Sequence, residues 1–260
     1  MAPMLPQKAD VEIYEILNRA IETGSSISEH ELQQLINKAE NLSIPNKFAC
    51  LSAVYSHALD YDKVVENSIK AIKIGAADEA CVINALSALS NMKLYAEIVK
   101  IAKQYPVLLE YNKPRCKIYD AAFRVLELDY CEYIANKYKV SFDNDMLDYK
   151  LLKDYFCNDS RLIEKAGQYL NVAYLELMSV LKNNKHRASS IGFGIMNYPG
   201  EAYLEVEINI YNSDDYNVDD IIDLEDQWFK KLSTYQVSDE KLASISFGIR
   251  WDDDFSRKAS

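Results

Sequence analysis

The apolar residues of this chain follow a helical period for most of its length and then change to strict alternation. Up to Leu181 they recur every three or four residues, which is the spacing of one face of an amphipathic helix. After a polar, basic connector at residues 182–187, the apolar residues alternate with others, as in half-buried strands. The sequence therefore predicts an α+β protein with two domains, a helical array over residues 1–182 and a small sheet domain over residues 183–260.

The composition favours long helices in the first part. The 260 residues include only 7 glycines and 6 prolines, and 49% of the residues are apolar. A loop-rich all-β fold needs more of both turn residues, whereas the apolar fraction is sufficient for a sizeable core. We expect a folded, mostly helical chain.

Two short antiparallel helices are predicted at the amino end. An apolar stripe runs from Asp10 to Thr23 and ends at Gly24. The next helix begins at Ser28-Glu29-His30-Glu31, which has the pattern of a capping box. In this motif the serine oxygen accepts a backbone N–H of the first turn, and the Glu31 carboxylate accepts the serine N–H.

Tyrosines mark a repeat in the middle of the helical part. Tyr61, Tyr95 and Tyr130 lie 34 and 35 residues apart, a period of helical-hairpin repeats. The segment Phe48-x-x-Leu51-Ser52-x-x-Tyr55, followed by LDYDKVVENSIKAIKIG at residues 59–75, resembles the tetratricopeptide-repeat family. Ser52 stands where that pattern has a small residue, which lets two helices approach closely. The resemblance covers residues 45–140 and is strongest in the first unit.

The resemblance implies a groove that binds peptides or partner proteins. In the family, the first helix of each repeat lines a concave surface. The corresponding residues of this sequence are Asn46, Ala49, Ala53, Ser56, Ala80, Ile83, Ser87 and Ser90. None of them is a cation that could clamp a carboxylate, so the resemblance does not imply recognition of acidic C-terminal peptides.

Three strands and one helix are predicted after the connector. Alternating apolar residues occupy Ile191–Ile195, Ala202–Ile210 and Ile245–Trp251, and a helical stripe at residues 221–232 separates the last two strands. The turn Asn197-Tyr198-Pro199-Gly200 favours an antiparallel hairpin. The expected order is ββαβ. The glycines of Ala188–Met196 then lie in a strand, because a phosphate-binding loop would have to open a helix.

Most of the acidity lies in this second part. The net charge is −11, and from residue 201 onward fifteen Asp and Glu oppose six Lys and Arg. Such a field repels nucleic-acid phosphates and anionic membranes and attracts basic protein surfaces. We therefore expect one or more protein partners with a basic surface, and no direct contact with nucleic acid or membrane.

The acidic segment also contains weak candidates for metal ligands. Oxygen-bearing residues stand at five positions of a calcium-loop spacing: Asp215, Asn217, Asp219, Asp223 and Asp226. The loop glycine is replaced by Asp220 and the final glutamate by Asp226, so the preferred interpretation is a capped helix and no bound metal. The same carboxylates could instead hold magnesium in a hydrolase, with Lys230, Lys231 or Lys241 near the phosphate.

The functional hypothesis is a non-catalytic protein that binds other proteins, as an adaptor, assembly factor or inhibitor. The chain has no His-Glu-x-x-His, Gly-x-Ser-x-Gly or P-loop motif, and no cofactor is expected. Its five cysteines are never in Cys-x-x-Cys spacing, and no leader or long apolar run is evident, which predicts a cytoplasmic location. The alternatives are a nucleic-acid mimic that blocks a basic protein, and a metal-dependent hydrolase. An open edge of the sheet could also support a homodimer.

Overall fold

The computed structural model describes residues 9–22, 27–139, 149–184, 186–198, 201–211, 218–235, 237 and 239–251. Within these residues the chain forms α-helices followed by a small sheet, as expected for the α+β class. The first helices are α1 (Ala9–Glu22), α2 (Glu29–Glu40), α3 (Asn46–His57), α4 (Tyr61–Gly75), α5 (Glu79–Asn91) and α6 (Tyr95–Gln104). They are followed by a 3-10 helix (Pro106–Glu110), α7 (Asn112–Arg124), α8 (Leu128–Tyr138), α9 (Tyr149–Tyr155) and α10 (Ser160–Asn183).

The carboxyl-terminal part contains β1 (Ala188–Tyr198), β2 (Glu201–Ile210), α11 (Val218–Leu232), α12 (Glu240–Ala243) and β3 (Ile245–Trp251). The chain divides into two compact units, Met1–Ile118 and Tyr119–Ser260, so this division falls within α7. The predicted boundary between residues 182 and 183 marks the change from helix to strand. As a domain boundary it stays a prediction. None of the helices in the described part is long and apolar enough to cross a lipid bilayer.

In the first unit the helices form successive hairpins. Helix α3 packs against α1, α2, α4 and α5, and the core beneath it includes Ile13, Leu17, Leu35 and Val54. The predicted capping box of α2 is confirmed: the Glu31 N–H donates to the Ser28 hydroxyl oxygen at 3.3 Å, and the Ser28 N–H donates to the Glu31 carboxylate at 3.1 Å.

The short connections between the two helices of each hairpin, which we call corners, have a similar backbone geometry. Leu59, Lys93, Leu126 and Cys157 have φ values of 52°, 56°, 55° and 55°, in the left-handed region. After each of them, the next N–H donates to a carbonyl five residues earlier: Asp60 to Tyr55, Leu94 to Leu89, Glu127 to Ala122 and Asn158 to Lys153. This is the Schellman ending of a helix. The corners are 34, 33 and 31 residues apart, compared with the 34 and 35 residues that separate the tyrosines.

Small buried serines connect the helices at the centre of the first unit. Ser52 and Ser68 are fully buried, and their hydroxyl oxygens lie 2.5 Å apart. The Ser68 hydroxyl also lies 3.3 Å from the carbonyl oxygen of Ala85 in α5. The polar groups are therefore satisfied where α3, α4 and α5 meet, and the small side chain at Ser52 permits the close approach that its spacing predicted.

The second unit contains the predicted ββαβ sheet. The strand order is β1-β2-β3, with β1 antiparallel and β3 parallel to the central β2. Ile191 is opposite Ile208, and Val206 is opposite both Phe193 and Phe247. These residues share one face of the sheet because side chains alternate along each strand. The short helix α12 was not predicted.

Helices α10 and α11 cover this apolar face. Trp228 of α11 is fully buried, and its ring meets Phe247 edge to face with centroids 5.3 Å apart. Tyr169 of α10 meets the same phenylalanine with centroids 5.7 Å apart. The aromatic contacts place both helices firmly on β3.

Side chains also reach the two outer strands of the sheet. The Ile249 N–H donates to the Glu225 carboxylate of α11 at 2.7 Å, on the side of β3 away from β2. On β1, the Arg124 guanidinium donates to the carbonyl oxygen of Ile191 at 2.9 Å. A homodimer through the sheet edge stays a prediction. The alternation of glycines with apolar residues in β1 and β3 predicts close neighbours on the other face of the sheet. A Cβ at Gly248 would lie 3.7 Å from the Glu225 carboxylate, but nothing lies within 4 Å of one at Gly194.

Candidate functional site

Helix α11 has apolar side chains on two sides. Leu224, Trp228 and Leu232 are spaced by four residues and are buried against the rest of the second unit. Val218, Ile222 and Phe229 are 68%, 49% and 39% exposed. Their spacing of four and seven residues places these three on one side of the helix, and we call them the α11 ridge. The ridge is apolar surface that the described part of the chain leaves in contact with solvent.

Polar contacts hold α11 in position beneath this ridge. The Trp228 indole donates to the carbonyl oxygen of Ala173 at 2.9 Å, in α10. Lys231 is 2.8 Å from the Glu176 carboxylate, and this ion pair also joins α11 to α10. The ridge is thus presented by a helix that is fixed along its buried side.

Carboxylates lie beside the ridge. Asp219, Asp223 and Asp226 are exposed. Asp219 and Asp223 directly follow Val218 and Ile222, and Asp226 lies four residues after Ile222 and three before Phe229, so helical geometry places it next to both. The apolar ridge therefore has an acidic border.

An aromatic pocket opens at the end of the ridge, with a volume of about 530 Å³. It is lined by Tyr169, Phe229, Leu232, Ser233, Tyr235, Ala243, Ser244, Ile245, Ser246 and Phe247. No charged residue is among these, and burial raises the pKa of Tyr169 above its ordinary value, which keeps its hydroxyl neutral at physiological pH. Aromatic walls with a few hydroxyls suit an apolar side chain or ring.

Hydroxyl groups meet at one wall of the pocket. The Tyr155 hydroxyl accepts the Leu204 N–H at 3.2 Å and lies 2.9 Å from the Ser244 hydroxyl. Ser244 donates to the carbonyl oxygen of Lys241 at 2.8 Å, and the Lys241 ammonium lies 4.2 Å from the centre of the Tyr155 ring. These bonds connect α9, β2 and α12. Because they involve backbone groups, their evident effect is to position the pocket wall.

The candidate metal ligands divide into two groups. Asp215 and Asn217 lie outside the described residues. Asp219, Asp223 and Asp226 are exposed on α11. Within the described part of the chain, no three or more His, Cys, Asp or Glu side chains are arranged to hold a metal ion. Of the three lysines considered with them, Lys231 is paired with Glu176 and Lys241 lies over Tyr155.

The residues predicted to line the repeat groove differ in exposure. Ala49 and Ser56 are buried and offer almost no surface. The half-buried ones are Asn46, Ala53, Ile83, Ser87 and Ser90, whereas Ala80 is exposed. Asn46 donates to the Asp10 carboxylate of α1 at 3.2 Å, and Ala53 packs on the core formed with α1 and α2. Ile83, Ser87 and Ser90 on α5 remain the more accessible part of the predicted surface.

The helical stripe at residues 221–232 includes Phe229, so the sequence predicts that Phe229 packs on the sheet beside Trp228, whereas the structure leaves it 39% exposed. Phe229 lines the pocket and is partly exposed. Adjacent residues on a helix point about 100° apart, so they cannot both face the sheet. The spacing of Leu224, Trp228 and Leu232 contained this signal, because it fixes the buried side without Phe229.

A histidine is buried at the start of the sheet. His186 lies with its ring centroid 6.0 Å from that of Trp251. Burial lowers the pKa of His186 below its ordinary value, and the Asp220 carboxylate opposes this shift. The neutral imidazole is therefore the form that the folded state prefers.

Comparison of the chain with protein-family models, with curated proteins and with solved structures found no match. The tetratricopeptide-repeat resemblance of residues 45–140 therefore stays a prediction. The class that the fold supports is a helical-hairpin array followed by a three-stranded sheet domain.

Proposed function

We propose that this protein is non-catalytic and acts by binding other proteins, as an adaptor, assembly factor or inhibitor. The observation that carries the proposal is the repeated corner geometry at Leu59, Lys93, Leu126 and Cys157. Helical hairpins that recur along a chain present side chains at recurring surface positions. Such scaffolds commonly function by displaying side chains to a partner.

The α5 surface is the part of the array that we assign to binding. Ile83, Ser87 and Ser90 are half-buried at spacings of four and three residues, so one side of α5 presents all three. These small or aliphatic side chains leave room for a partner's larger residues. None of the three is charged, so partner contacts at this surface would be insensitive to salt.

Site-specific photo-crosslinking tests the proposal. A benzoyl-phenylalanine at position 87 would be irradiated in a lysate of the protein's own source, with position 100 as the matched control. Lys100 is exposed on α6, outside the assigned surface. We expect a discrete adduct at position 87 that survives high salt and is missing at position 100. Equal adducts at both positions, or none at either, would contradict the proposal.

A second candidate function is mimicry of nucleic acid, and the acidic border of α11 favours it. Asp219, Asp223 and Asp226 present three carboxylates on one helix. A protein that blocks a basic nucleic-acid-binding site in this way would dissociate steeply as salt is added. Salt-resistant adducts at position 87 would therefore support the first function, and binding that is lost with added salt would support the second.

We propose a cytoplasmic location for this activity. The described cysteines are free thiols: Cys50, Cys81 and Cys131 are buried, and Cys116 and Cys157 are exposed. Free exposed thiols suit a reducing compartment. Fractionation of cells that produce the tagged protein would test this location, and recovery in a membrane or secreted fraction would oppose it.

A further inference from the structure

The α11 ridge and the aromatic pocket adjoin each other, because Phe229 belongs to both. From Val218 to Phe229 the helix rises about 16 Å, which corresponds to about three turns. The surface is therefore narrow along the ridge and concave at its end. This shape suits a single segment of chain that places one side chain in the pocket.

The pocket favours an apolar side chain on that segment. The described residues of its lining contribute aromatic rings, aliphatic groups and hydroxyls, and none of them is charged. Tyr235 is 41% exposed at its rim, so a side chain that enters the pocket would cover ring surface on both Phe229 and Tyr235. Aromatic anchors in such pockets commonly dominate the energy of binding.

The acidic border of the ridge favours the binding of a positively charged segment. Asp219, Asp223 and Asp226 would face the flanks of anything that lies on Val218, Ile222 and Phe229. An acidic segment would be repelled, whereas Lys or Arg would pair with these carboxylates. Lys230 is exposed near the carboxyl end of α11, so the acidic excess lies toward the amino end.

We infer that the α11 ridge and the aromatic pocket are a docking site for a basic, amphipathic segment of a partner protein. An aromatic or aliphatic side chain of the segment fills the pocket, and its Lys or Arg side chains face Asp219, Asp223 and Asp226. The inference rests on the proposed protein-binding function and assigns to it a surface separate from α5.

Three fluorescein-labelled peptides of about twelve residues, long enough for three helical turns, would probe this site. The first is a lysine-rich amphipathic peptide with one tryptophan, the second has serine in place of that tryptophan, and the third has glutamate in place of the lysines. Anisotropy with the full-length protein is expected to show binding of the first peptide, at least about tenfold weaker binding of the second, and no binding of the third.

Variants of the protein test whether the first peptide binds at the α11 ridge and the aromatic pocket. Phe229→Ala and, separately, Ile222→Ser are expected to weaken the first peptide about tenfold at both low and high salt. The triple variant Asp219→Asn, Asp223→Asn, Asp226→Asn is expected to weaken it about tenfold at about 0.05 M salt and much less at about 0.5 M. Circular dichroism would verify that each variant is folded.

A matched triple variant controls for net charge. Glu40→Gln, Asp62→Asn and Glu79→Gln change the same number of exposed carboxylates on α2, α4 and α5. Equal weakening by both triple variants would overturn the inference, because attraction would then be a property of total charge. Unchanged affinity in both Phe229→Ala and Ile222→Ser would overturn it as well.

Two further outcomes separate this inference from the proposed function. If no peptide binds while position 87 still gives its salt-resistant adduct, the docking site is wrong and the proposed function stands. If sedimentation shows a dimer of the protein that Phe229→Ala dissociates, the surface is occupied by a second copy, and the inference of a basic partner is wrong.

Discussion

The indole N–H of Trp228 points into α10, where it donates to the carbonyl oxygen of Ala173 at 2.9 Å. Trp228 is fully buried, so this bond is formed away from water. It fixes the rotation of α11 and, with it, the direction in which the ridge faces. The orientation of the exposed surface therefore depends on one buried contact about 100° around the same helix.

Substitution of Trp228 is expected to destabilise the second unit. Trp228→Phe removes the donor and leaves the Ala173 carbonyl without it, at a cost of about 1 to 3 kcal/mol in the free energy of unfolding. Trp228→Ala is expected to cost about 3 to 5 kcal/mol. Urea denaturation followed by circular dichroism measures both. Phe229→Ala is the control, and a loss as large as that of Trp228→Ala would contradict the structure.

Two Cys→Gly substitutions are expected to act in opposite directions. Cys157 is exposed and has a φ of 55°, which a β-carbon disfavours, so Cys157→Gly is expected to stabilise the protein by about 1 kcal/mol. Cys116 is exposed within α7, where glycine adds backbone entropy to the unfolded chain, so Cys116→Gly is expected to cost about 0.5 kcal/mol. Thermal and urea unfolding of both variants test the left-handed corner, and shifts of equal sign would count against it.

Two Gly→Ala substitutions distinguish a tight contact from open space. A Cβ at Gly167 would lie 2.2 Å from the carbonyl oxygen of Val125. Gly167→Ala is therefore expected to cost about 1 to 3 kcal/mol, although alanine is otherwise the better helix former. At Gly194 nothing lies within 4 Å, and Gly194→Ala is expected to be neutral or to stabilise by about 0.5 kcal/mol. The midpoints of urea denaturation distinguish these two outcomes. A Gly167→Ala protein that is as stable as the unsubstituted protein would contradict the close packing of α10 on Val125.

The paired serines are expected to behave as one unit. Ser52→Ala leaves the Ser68 hydroxyl without its nearest partner, and each single alanine variant is expected to cost about 1 kcal/mol. The double variant removes both polar groups and should cost less than the sum of the two. A double-mutant cycle in urea measures this coupling, and strict additivity would show that the two hydroxyls do not interact.

Stability is expected to decrease as the solution becomes mildly acidic. His186 has a folded-state pKa below its ordinary value of about 6.5, so the unfolded chain binds the proton more readily. The contribution of the neutral imidazole is present above pH about 6.5 and is lost as the pH falls below it. Unfolding at several pH values should show a smaller decrease for His186→Phe, whereas His30→Gln, at an exposed position, serves as the control. If the stability of the unsubstituted protein and of both variants decreases equally, His186 is not the cause of the pH dependence.

The fold class, the helices at residues 10–23 and 221–232 and the three strands could be predicted from the period of the apolar residues. The capping box at Ser28 and the hairpin between β1 and β2 have local signals in residue type and spacing, and both are present. The corners were not predicted as left-handed, because Leu59, Lys93 and Cys157 are not the glycines that usually occupy such positions.

The candidate site was harder to predict than the fold. The acidic side of α11 follows from its aspartates, but the pocket joins residues of α10, α11, α12 and β3 that are distant in the chain. Its position depends on how these elements pack against one another. Local periodicity contains no information on the packing between segments that are distant in the chain.

The bond from the Ile249 N–H to the Glu225 carboxylate affects how separate molecules meet. An outer strand with an available N–H can accept a strand from another chain and begin a growing, insoluble assembly. Here a carboxylate occupies that N–H, and its negative charge also repels the acidic surface of a second molecule. Glu225 thus removes one of the edge N–H groups through which a strand of another molecule could pair with β3.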